Sequence, residues 1–280
     1  MHRALPCLAL LAALMPLVAA RAVKVPHRVV SLNLCADQYL LAVADRSQIA
    51  ALTRFARDRS MSEAAAAAAR LPYSGGRAEE LLALQPDLVL AAPYQAAATA
   101  ALLGTAVVSV PEANDVAQIA QNLVTVGRAV GHVERAQILI AKMSRELSGT
   151  GPGRGRVGAY YQRQGYLTGG GTLVDDLMRR AGLVNLATRL HRPSLSRLSL
   201  ESVIAERPDF LILTRDPRHG DRGSDMLDHP ALAAAVPASR RLYLDEALII
   251  CGGPAYPAAV EGLRKQIIAA DLQQARKITP

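Results

Sequence analysis

The chain has 280 residues, which at roughly 100 to 200 residues per domain leaves room for two compact lobes. Hydrophobic residues make up 51% and charged residues 20%, a globular composition that excludes a wholly disordered chain. The formal net charge is +8. Aromatic residues make up only 4%, with no tryptophan, so we expect no stacking platform for nucleic acid, and any aromatic ligand site must consist mainly of tyrosine.

Residues 1–22 have the pattern of an export signal. Arg3 gives a positive start, an apolar run covers 8–20, and alanines flank Arg21 at the spacing that a signal peptidase needs. A membrane anchor is the alternative, but the run is shorter than the roughly 20 apolar residues of a spanning helix. We expect cleavage near Ala22 and a periplasmic mature protein. Removal of both arginines lowers the charge from +8 to +6, which suits an anionic ligand or surface.

Short strands and helices alternate over residues 23–113. Strands are predicted at 28–32, 49–53, 88–92 and 106–110, and helices at 36–44, at 63–70 and from 79 to a stop at Pro86. Alternation of this kind favours a parallel sheet covered on both faces. These residues are therefore predicted to form an N-terminal α/β lobe.

Residues 114–148 are predicted to form a linking helix. No proline interrupts them, and apolar residues recur at helical spacing. At 1.5 Å per residue, a helix of this length spans about 50 Å and is a rigid strut. Two ordinary helices joined near Gly131 and His132 are the alternative, because Gly127 and Gly131 are positions at which the run can bend.

Residues 149–280 repeat the alternation after the Gly/Pro-rich segment SGTGPGRG (148–155). Strands are predicted at 157–161, 210–214 and 241–245, and helices at 172–181, 200–206 and 256–272. This part is predicted to be a C-terminal α/β lobe.

An internal repeat relates the two lobes. Residues 79–90 and 201–212 share the order Glu, apolar helical turn, Pro-Asp, apolar strand, and in both copies the glutamate lies seven residues before the proline. Such a repeat predicts two lobes of similar construction.

These segments together resemble the periplasmic substrate-binding proteins of ABC importers that handle iron-siderophore complexes, haem and cobalamin, the class III family with a helical backbone. The resemblance covers nearly the whole mature chain. It rests on RVVSLNLCADQYLLAVAD (28–45), the paired E-x6-P-D units, the long uninterrupted helix, YLTGGGTLVDDLMRRAGLVNLA (166–187) and CGGP (251–254). It implies two doubly wound, Rossmann-like α/β lobes bridged by one long helix, with the ligand held between them.

The resemblance also implies a docking role for Glu79 and Glu201. In this family one acidic residue on each lobe meets an arginine cluster of the permease dimer in the inner membrane, and these two glutamates occupy the matching positions. Paired charges on a rigid span fix orientation and register. The alternative is that both are ordinary first-turn glutamates favoured by the helix dipole.

The ligand of an open parallel sheet lies outside the carboxyl ends of its strands. On this basis the candidate ligand-binding residues are Asn33, Leu34, Cys35, Tyr73, Tyr94, Tyr161, Arg163, Arg215, Cys251 and Gly252. Tyrosine offers apolar area with a polar tip for a flat organic or metal-chelate ligand, and arginine pairs with carboxylates. For each residue, a packing or solvated-surface role is the alternative.

Cys35 and Cys251 are the cysteines that remain after the signal, with Cys7, is removed. An even count in an oxidising compartment favours a disulfide, but buried unpaired cysteines are also common. Both residues lie in loops expected to face the cleft, a departure from the family pattern. Either a disulfide ties the lobes together, or two thiols meet the ligand or its metal.

The sequence favours a binding protein without resident cofactor, metal site or catalytic residues, which acts as a monomer on a small-molecule chelate. An exported hydrolytic or metal-dependent enzyme is the main alternative, and it is opposed by the lack of G-x-S-x-G and H-E-x-x-H motifs. A receptor for a free metal ion needs three or four convergent His, Asp or Glu ligands, and the six histidines are scattered.

Overall fold

A computed structural model describes residues 25–215 and 225–278 of the chain, so the predicted export signal lies outside the described residues. The N-terminal half contains strands β1 Val29–Ser31, β2 Ile49–Thr53, β3 Tyr73–Ser74, β4 Leu88–Ala91 and β5 Ala106–Ser109. Its helices are α1 Leu34–Val43, α2 Ala65–Ala68, α3 Ala78–Leu84 and α4 Pro93–Leu103.

These five strands form one parallel sheet in the order β3-β2-β1-β4-β5. The chain moves outward from β1 on one side, returns to its other side at β4, and moves outward again. This reversal makes the sheet doubly wound and places a topological switch point between β1 and β4, where ligands of such sheets bind. Apolar strand residues, among them Val29, Val30, Val89 and Leu90, are completely buried.

The segment predicted as one helix over residues 114–148 forms two, α5 Val116–Ala129 and α6 Val133–Glu146. The single helix was therefore wrong and the two-helix alternative is confirmed. Gly131 has φ +81, and the backbone N–H groups of Gly131 and His132 donate to Arg128 O and Gly127 O. This is a Schellman motif, which ends a helix at a glycine in the left-handed conformation.

Helix α6 contacts the N-terminal half near its start and leads into a contact with the C-terminal half just beyond its end. Near its start, Arg135 donates to Val43 O at 2.6 Å and pairs with Asp45 at 3.0 Å, both at the end of α1. Just beyond its end, Ser148 O accepts from Arg264 of the C-terminal half at 3.3 Å. Its 14 residues span about 21 Å. The lobe boundaries at residues 113 and 149 stay predictions.

The C-terminal half contains strands β6 Val157–Tyr160, β7 Tyr166–Thr168, β8 Val184–Asn185, β9 Leu195–Arg197, β10 Phe210–Arg215 and β11 Arg241–Asp245. Its helices are α7 Leu173–Arg180, α8 Leu186–Arg189, α9 Leu200–Glu206, α10 Pro230–Ala235, α11 Glu246–Ile249 and α12 Tyr256–Ile278. A parallel sheet has the order β11-β10-β6-β8, and β7 pairs antiparallel with β9. No helix in the described ranges is long and apolar enough to cross a membrane.

The Pro-Asp repeat has the same structural role in both halves. Asp87 accepts from the backbone N–H groups of His27 and Arg28 at 2.7 and 2.8 Å, and Asp209 accepts from that of Val157 at 2.7 Å. Each aspartate therefore anchors the start of the strand that pairs with its own, β1 with β4 and β6 with β10. A buried or half-buried backbone donor needs such a partner.

The packing of α5 on α6 gives a stability test. A Cβ at Gly127 would lie 2.8 Å from Ala136 Cβ, whereas nothing lies within 4 Å of a Cβ at Gly262 in α12. Ala normally stabilises a helix relative to Gly by about 1 kcal/mol. We expect Gly262→Ala to raise the free energy of unfolding by about 0.5–1 kcal/mol, and Gly127→Ala to lower it by about 1–3 kcal/mol through overpacking, measured by urea denaturation. Equal stabilisation by both variants would contradict the close helix contact.

Candidate functional site

A cavity of about 190 Å³ lies between the two halves, and both contribute to its lining. Cys35 lies in the first turn of α1, which follows β1, and Ile250, Cys251 and Gly252 follow β11 and α11. These wall residues therefore come from segments beyond the carboxyl ends of strands in different sheets. Thr172, the residue that caps α7, also lines it. The cavity thus lies where two doubly wound sheets are expected to place a ligand.

A covalent and hydrogen-bonded contact, called here the seam, forms the floor of this cavity. Cys35 and Cys251 are joined by a disulfide with Cα atoms 5.3 Å apart. The Tyr39 hydroxyl of α1 donates to Gly252 O at 2.5 Å. A Cβ on Gly252 would lie 2.3 Å from Ala113 O, so only glycine permits this approach. The open question of the two cysteines is answered in favour of the disulfide.

Three further candidate residues of the N-terminal half do not line this cavity. Asn33 caps α1, because its side-chain oxygen accepts from Cys35 N and Ala36 N. Tyr73, at β3, is 58% exposed, and Tyr94, in the first turn of α4, is 82% exposed. The capping amide is committed to the helix, while the two tyrosine rings are accessible.

The candidates in the C-terminal half divide differently. Tyr161 was wrong as a rim residue, because its side chain is 0% exposed and its hydroxyl donates to Leu198 O at 2.9 Å in the core of that half. Arg163 is exposed in the turn between β6 and β7. Arg215 is the last residue of β10, but its side chain lies outside the described part.

Four guanidinium groups among the described residues stack on aromatic rings, and sequence reasoning missed them all. The guanidinium carbon lies 4.8 Å from the ring centroid in the pair Arg54–Phe55, 4.6 Å in Arg57–Tyr73, 4.8 Å in Arg197–Tyr166 and 4.7 Å in Arg156–Phe210. The first pair directly follows β2, so the carboxyl-end rule that selected Asn33 also applied to it. The third could not be found in this way, because it depends on the pairing of β7 with β9.

A buried carboxylate lies in α1, two residues after Cys35 of the cavity wall. Asp37 of α1 is 0% exposed and accepts from Thr53 Oγ1 at 2.5 Å and from Thr53 N at 3.2 Å. Burial raises the pKa of Asp37 to about 7, although its hydrogen bonds to Thr53 and Ser31 oppose the shift. Burial also raises the pKa of Tyr39 to about 12, which keeps that hydroxyl protonated as a donor in the seam.

The two glutamates of the repeat are exposed in the first turns of α3 and α9. A hydrogen bond from its own backbone N–H and one from Ser199 hold the pKa of Glu201 below its usual range. Within the described residues, no group of three or more His, Cys, Asp or Glu side chains is arranged to hold a metal ion. The part of the cavity lining that the structure describes holds one charged side chain, Glu112, and no aromatic ring, so the tyrosines and arginines described above lie outside it.

Comparison with known proteins assigns the chain to one family. Residues 29–247 match the family described as periplasmic binding protein. Proteins called cobalamin-binding protein in two strains of Halobacterium salinarum are 27% identical over 230 residues, which cover 76% of this chain and 59% of each relative. The chain thus spans less than two thirds of the length of these relatives.

Solved structures share the fold. The periplasmic haem-binding protein RhuT from Roseiflexus superposes with a TM-score of 0.70 at 24% identity, covering 87% of this chain and 99% of RhuT. The periplasmic vitamin B12-binding protein BtuF of Vibrio cholerae gives 0.65 at 16% identity, covering 88% of this chain and 98% of BtuF. The described α/β halves therefore match a two-lobed architecture of binding proteins, in agreement with the predicted fold class.

Asp37 gives a pH-dependent stability test. Its pKa is higher in the folded chain than in the unfolded one, so the folded state binds the extra proton and loses stability as pH rises from about 4 to 7. The free energy of unfolding of the wild type is expected to fall by at most about 4 kcal/mol over this range. Asp37→Asn is expected to remove this dependence on pH, which urea denaturation at pH 5 and 8 measures. Asp45→Asn is the control, because the Arg135 hydrogen bond lowers the pKa of that exposed carboxyl, so its titration lies below pH 4 and the variant is expected to keep the wild-type difference between pH 5 and 8. Equal changes in the free energy of unfolding with pH for wild type and Asp37→Asn would contradict the raised pKa of the buried carboxyl.

Proposed function

The chain belongs to the periplasmic binding protein family, and we propose that it is the solute-binding component of an ABC importer. In this proposal it captures a metal chelate, a ferric siderophore, haem or cobalamin, in the cleft between its lobes and delivers it to a permease. The observation that carries the proposal is the cavity whose walls come from the carboxyl ends of both sheets. Its family consists of binding proteins, so it is not an enzyme.

Groups outside the cavity lining are the ones that suit a flat, anionic ligand, because the lining itself, over the described ranges of the chain, holds one charged side chain, Glu112, and no aromatic ring. Exposed Tyr73 and Tyr94 offer ring faces, and Arg54, Arg57 and Arg197 add positive charge that already stacks on aromatic rings. Arginine binds carboxylates and phosphates, and tyrosine rings stack on conjugated ligands. The printed names of the Halobacterium relatives make cobalamin the first candidate, and those of the structural relatives keep haem beside it.

We assign the remaining candidates two roles in this cleft. Cys35, Cys251 and Gly252 line its floor and shape it, with Asn33 and Leu34 at the start of α1 beside them. Arg163, which is exposed, is assigned to the rim of the C-terminal lobe, and Arg215 is retained as a candidate by its position at the end of β10. Tyr161 has no direct contact with ligand in this scheme, because it belongs to the core.

Docking on the permease is assigned to Glu79 and Glu201. Both start the twin helices α3 and α9, and both are exposed. A surface ion pair alone contributes little, but two carboxylates held at a fixed separation report the orientation of the lobes to a two-subunit partner. The proposed complex is one monomeric binding protein on one permease dimer.

The proposed compartment is the periplasm, reached after cleavage of the export signal near Ala22. The Cys35–Cys251 disulfide is typical of an oxidising compartment.

Binding and uptake measured together test this function. We expect purified mature protein to gain thermal stability with cyanocobalamin, haemin or a ferric siderophore, by about 2.7 kcal/mol at a free ligand concentration of 100 times Kd, and not to consume it. Glu79→Arg with Glu201→Arg is expected to keep Kd within about twofold and to lower uptake by host cells by about tenfold or more, because charge reversal removes both docking pairs.

Glu134→Arg is the matched control, because Glu134 is also an exposed first-turn glutamate, in α6. It is expected to leave uptake unchanged. Failure of all three chelates to bind would overturn the proposed ligand class. Tight binding with unimpaired uptake in the double variant would overturn the docking assignment alone.

A further inference from the structure

A second cavity, of about 310 Å³, lies at the other end of the C-terminal sheet. It is called here the arginine pocket and is lined by residues of the loop 149–155 together with Arg179, Arg180, Gly182 and Arg264. The loop precedes β6, so the pocket lies at the amino ends of the parallel strands, whereas the ligand cleft lies beyond their carboxyl ends. The two sites are therefore separate.

The arginine pocket carries more positive charge than its surroundings neutralise. Its walls contain four guanidinium groups and no acidic side chain. Asp176 is the carboxylate that pairs with Arg179 and Arg180; it is 3% exposed and also accepts from Tyr256 at 2.6 Å. Arg264 donates only to backbone oxygens among the described residues, so its charge is not cancelled. The local balance is about +3.

Helix dipoles account for only part of this excess. Helices α6 and α7 both end at the pocket, and each carboxyl terminus carries roughly −0.5 elementary charge. Subtracting both still leaves about +2. The arginines therefore do more than complement the ends of two helices.

The loop backbone holds one of these arginines in an unfavourable conformation. Arg154 has φ +53, in the left-handed region that is unfavourable for residues other than glycine, and its side chain is exposed. Gly182 keeps the loop close to α7, because a Cβ there would lie 2.6 Å from Gly151 O. Strain of this kind persists where the surrounding structure enforces it, and it is common at binding sites.

We propose that the arginine pocket binds a phosphate-type oxyanion, either a free polyphosphate or the phosphate of an anionic lipid headgroup. Arginine presents planar pairs of donors that match two oxygens of a phosphate. A cavity of about 310 Å³ is in the size range of small-molecule sites, so it accommodates a phosphorylated group larger than a single ion. Neither ligand requires the solute cleft, and the site stands whether or not the proposed transport function holds.

Titration of the mature full-length chain with sodium pyrophosphate tests this site. We expect saturable one-to-one binding, a rise in Kd of at least tenfold in Arg154→Gln, and a Kd within twofold of wild type in Arg128→Gln. Arg128 is the matched control, an exposed arginine in the last turn of α5. Arg264→Gln is a second variant, but it also removes hydrogen bonds to the loop, so its thermal unfolding is measured alongside.

A vesicle arm distinguishes the source of the phosphate. If the natural ligand is a lipid headgroup, the protein co-sediments with vesicles of phosphatidylcholine containing phosphatidylglycerol, but not with pure phosphatidylcholine, and Arg154→Gln abolishes this while Arg128→Gln does not. If it is a free polyphosphate, only pyrophosphate binding depends on Arg154. Absence of saturable binding to both probes, or equal losses in the Arg154 and Arg128 variants, would overturn the proposal.

Discussion

The seam between α1 and the segment after β11 is the constraint on which the two-lobed arrangement depends. It joins residues 216 positions apart by a disulfide, and the Tyr39 hydroxyl bonds the neighbouring Gly252 carbonyl. In the loop-closure description, a cross-link over so long a segment stabilises the folded chain by about 5 kcal/mol. Because the seam lies at the carboxyl ends of both sheets, it also fixes the floor of the cavity between them. Stability and site geometry thus share the same residues.

Helix α6 is the second connection between the lobes, and it differs in kind from the seam. The seam is short and covalent, whereas α6 is a 14-residue helix anchored at one end by Arg135 and at the other by the Arg264 contact with Ser148. A helix and a cross-link at separate places restrict rotation of one lobe against the other more than either does alone. The anchoring aspartates of the repeat, Asp87 and Asp209, give each lobe the same internal frame. Exposed groups on equivalent helices are therefore held at a defined separation.

Much of the fold followed from the sequence because its longer strands are apolar runs that alternate with segments of helical periodicity. The strands at 49–53 and 241–245 and the helix at 200–206 match the structure residue for residue. The sequence left a helix break at Gly131 as an alternative. The positive φ of Gly131 and the two backbone hydrogen bonds there distinguish a helix end from a glycine within a continuous helix. The antiparallel pair of β7 and β9 was missed, because each strand has three residues and the two lie 26 residues apart in the chain.

The site was less predictable, because it depends on contacts between distant segments. The carboxyl-end rule selected both Tyr94, whose ring is exposed, and Tyr161, whose side chain turns into the core. Position after a strand does not fix the direction of a side chain. The disulfide remained open for a similar reason: a pairing requires Cα atoms within about 7 Å, and no pattern within the sequence reports a distance between residues 35 and 251.

The distance between the lobes tests the central claim most directly. Spin labels introduced as unnatural amino acids at exposed Leu102 and Leu195, one in each half, give a distance distribution by pulsed electron paramagnetic resonance. The account expects one narrow distribution in the oxidised protein and a clearly broader one in the Cys35→Ser, Cys251→Ser variant. Equal widths in the two proteins, or two well-separated distances in the oxidised one, would contradict a seam that holds the lobes in place.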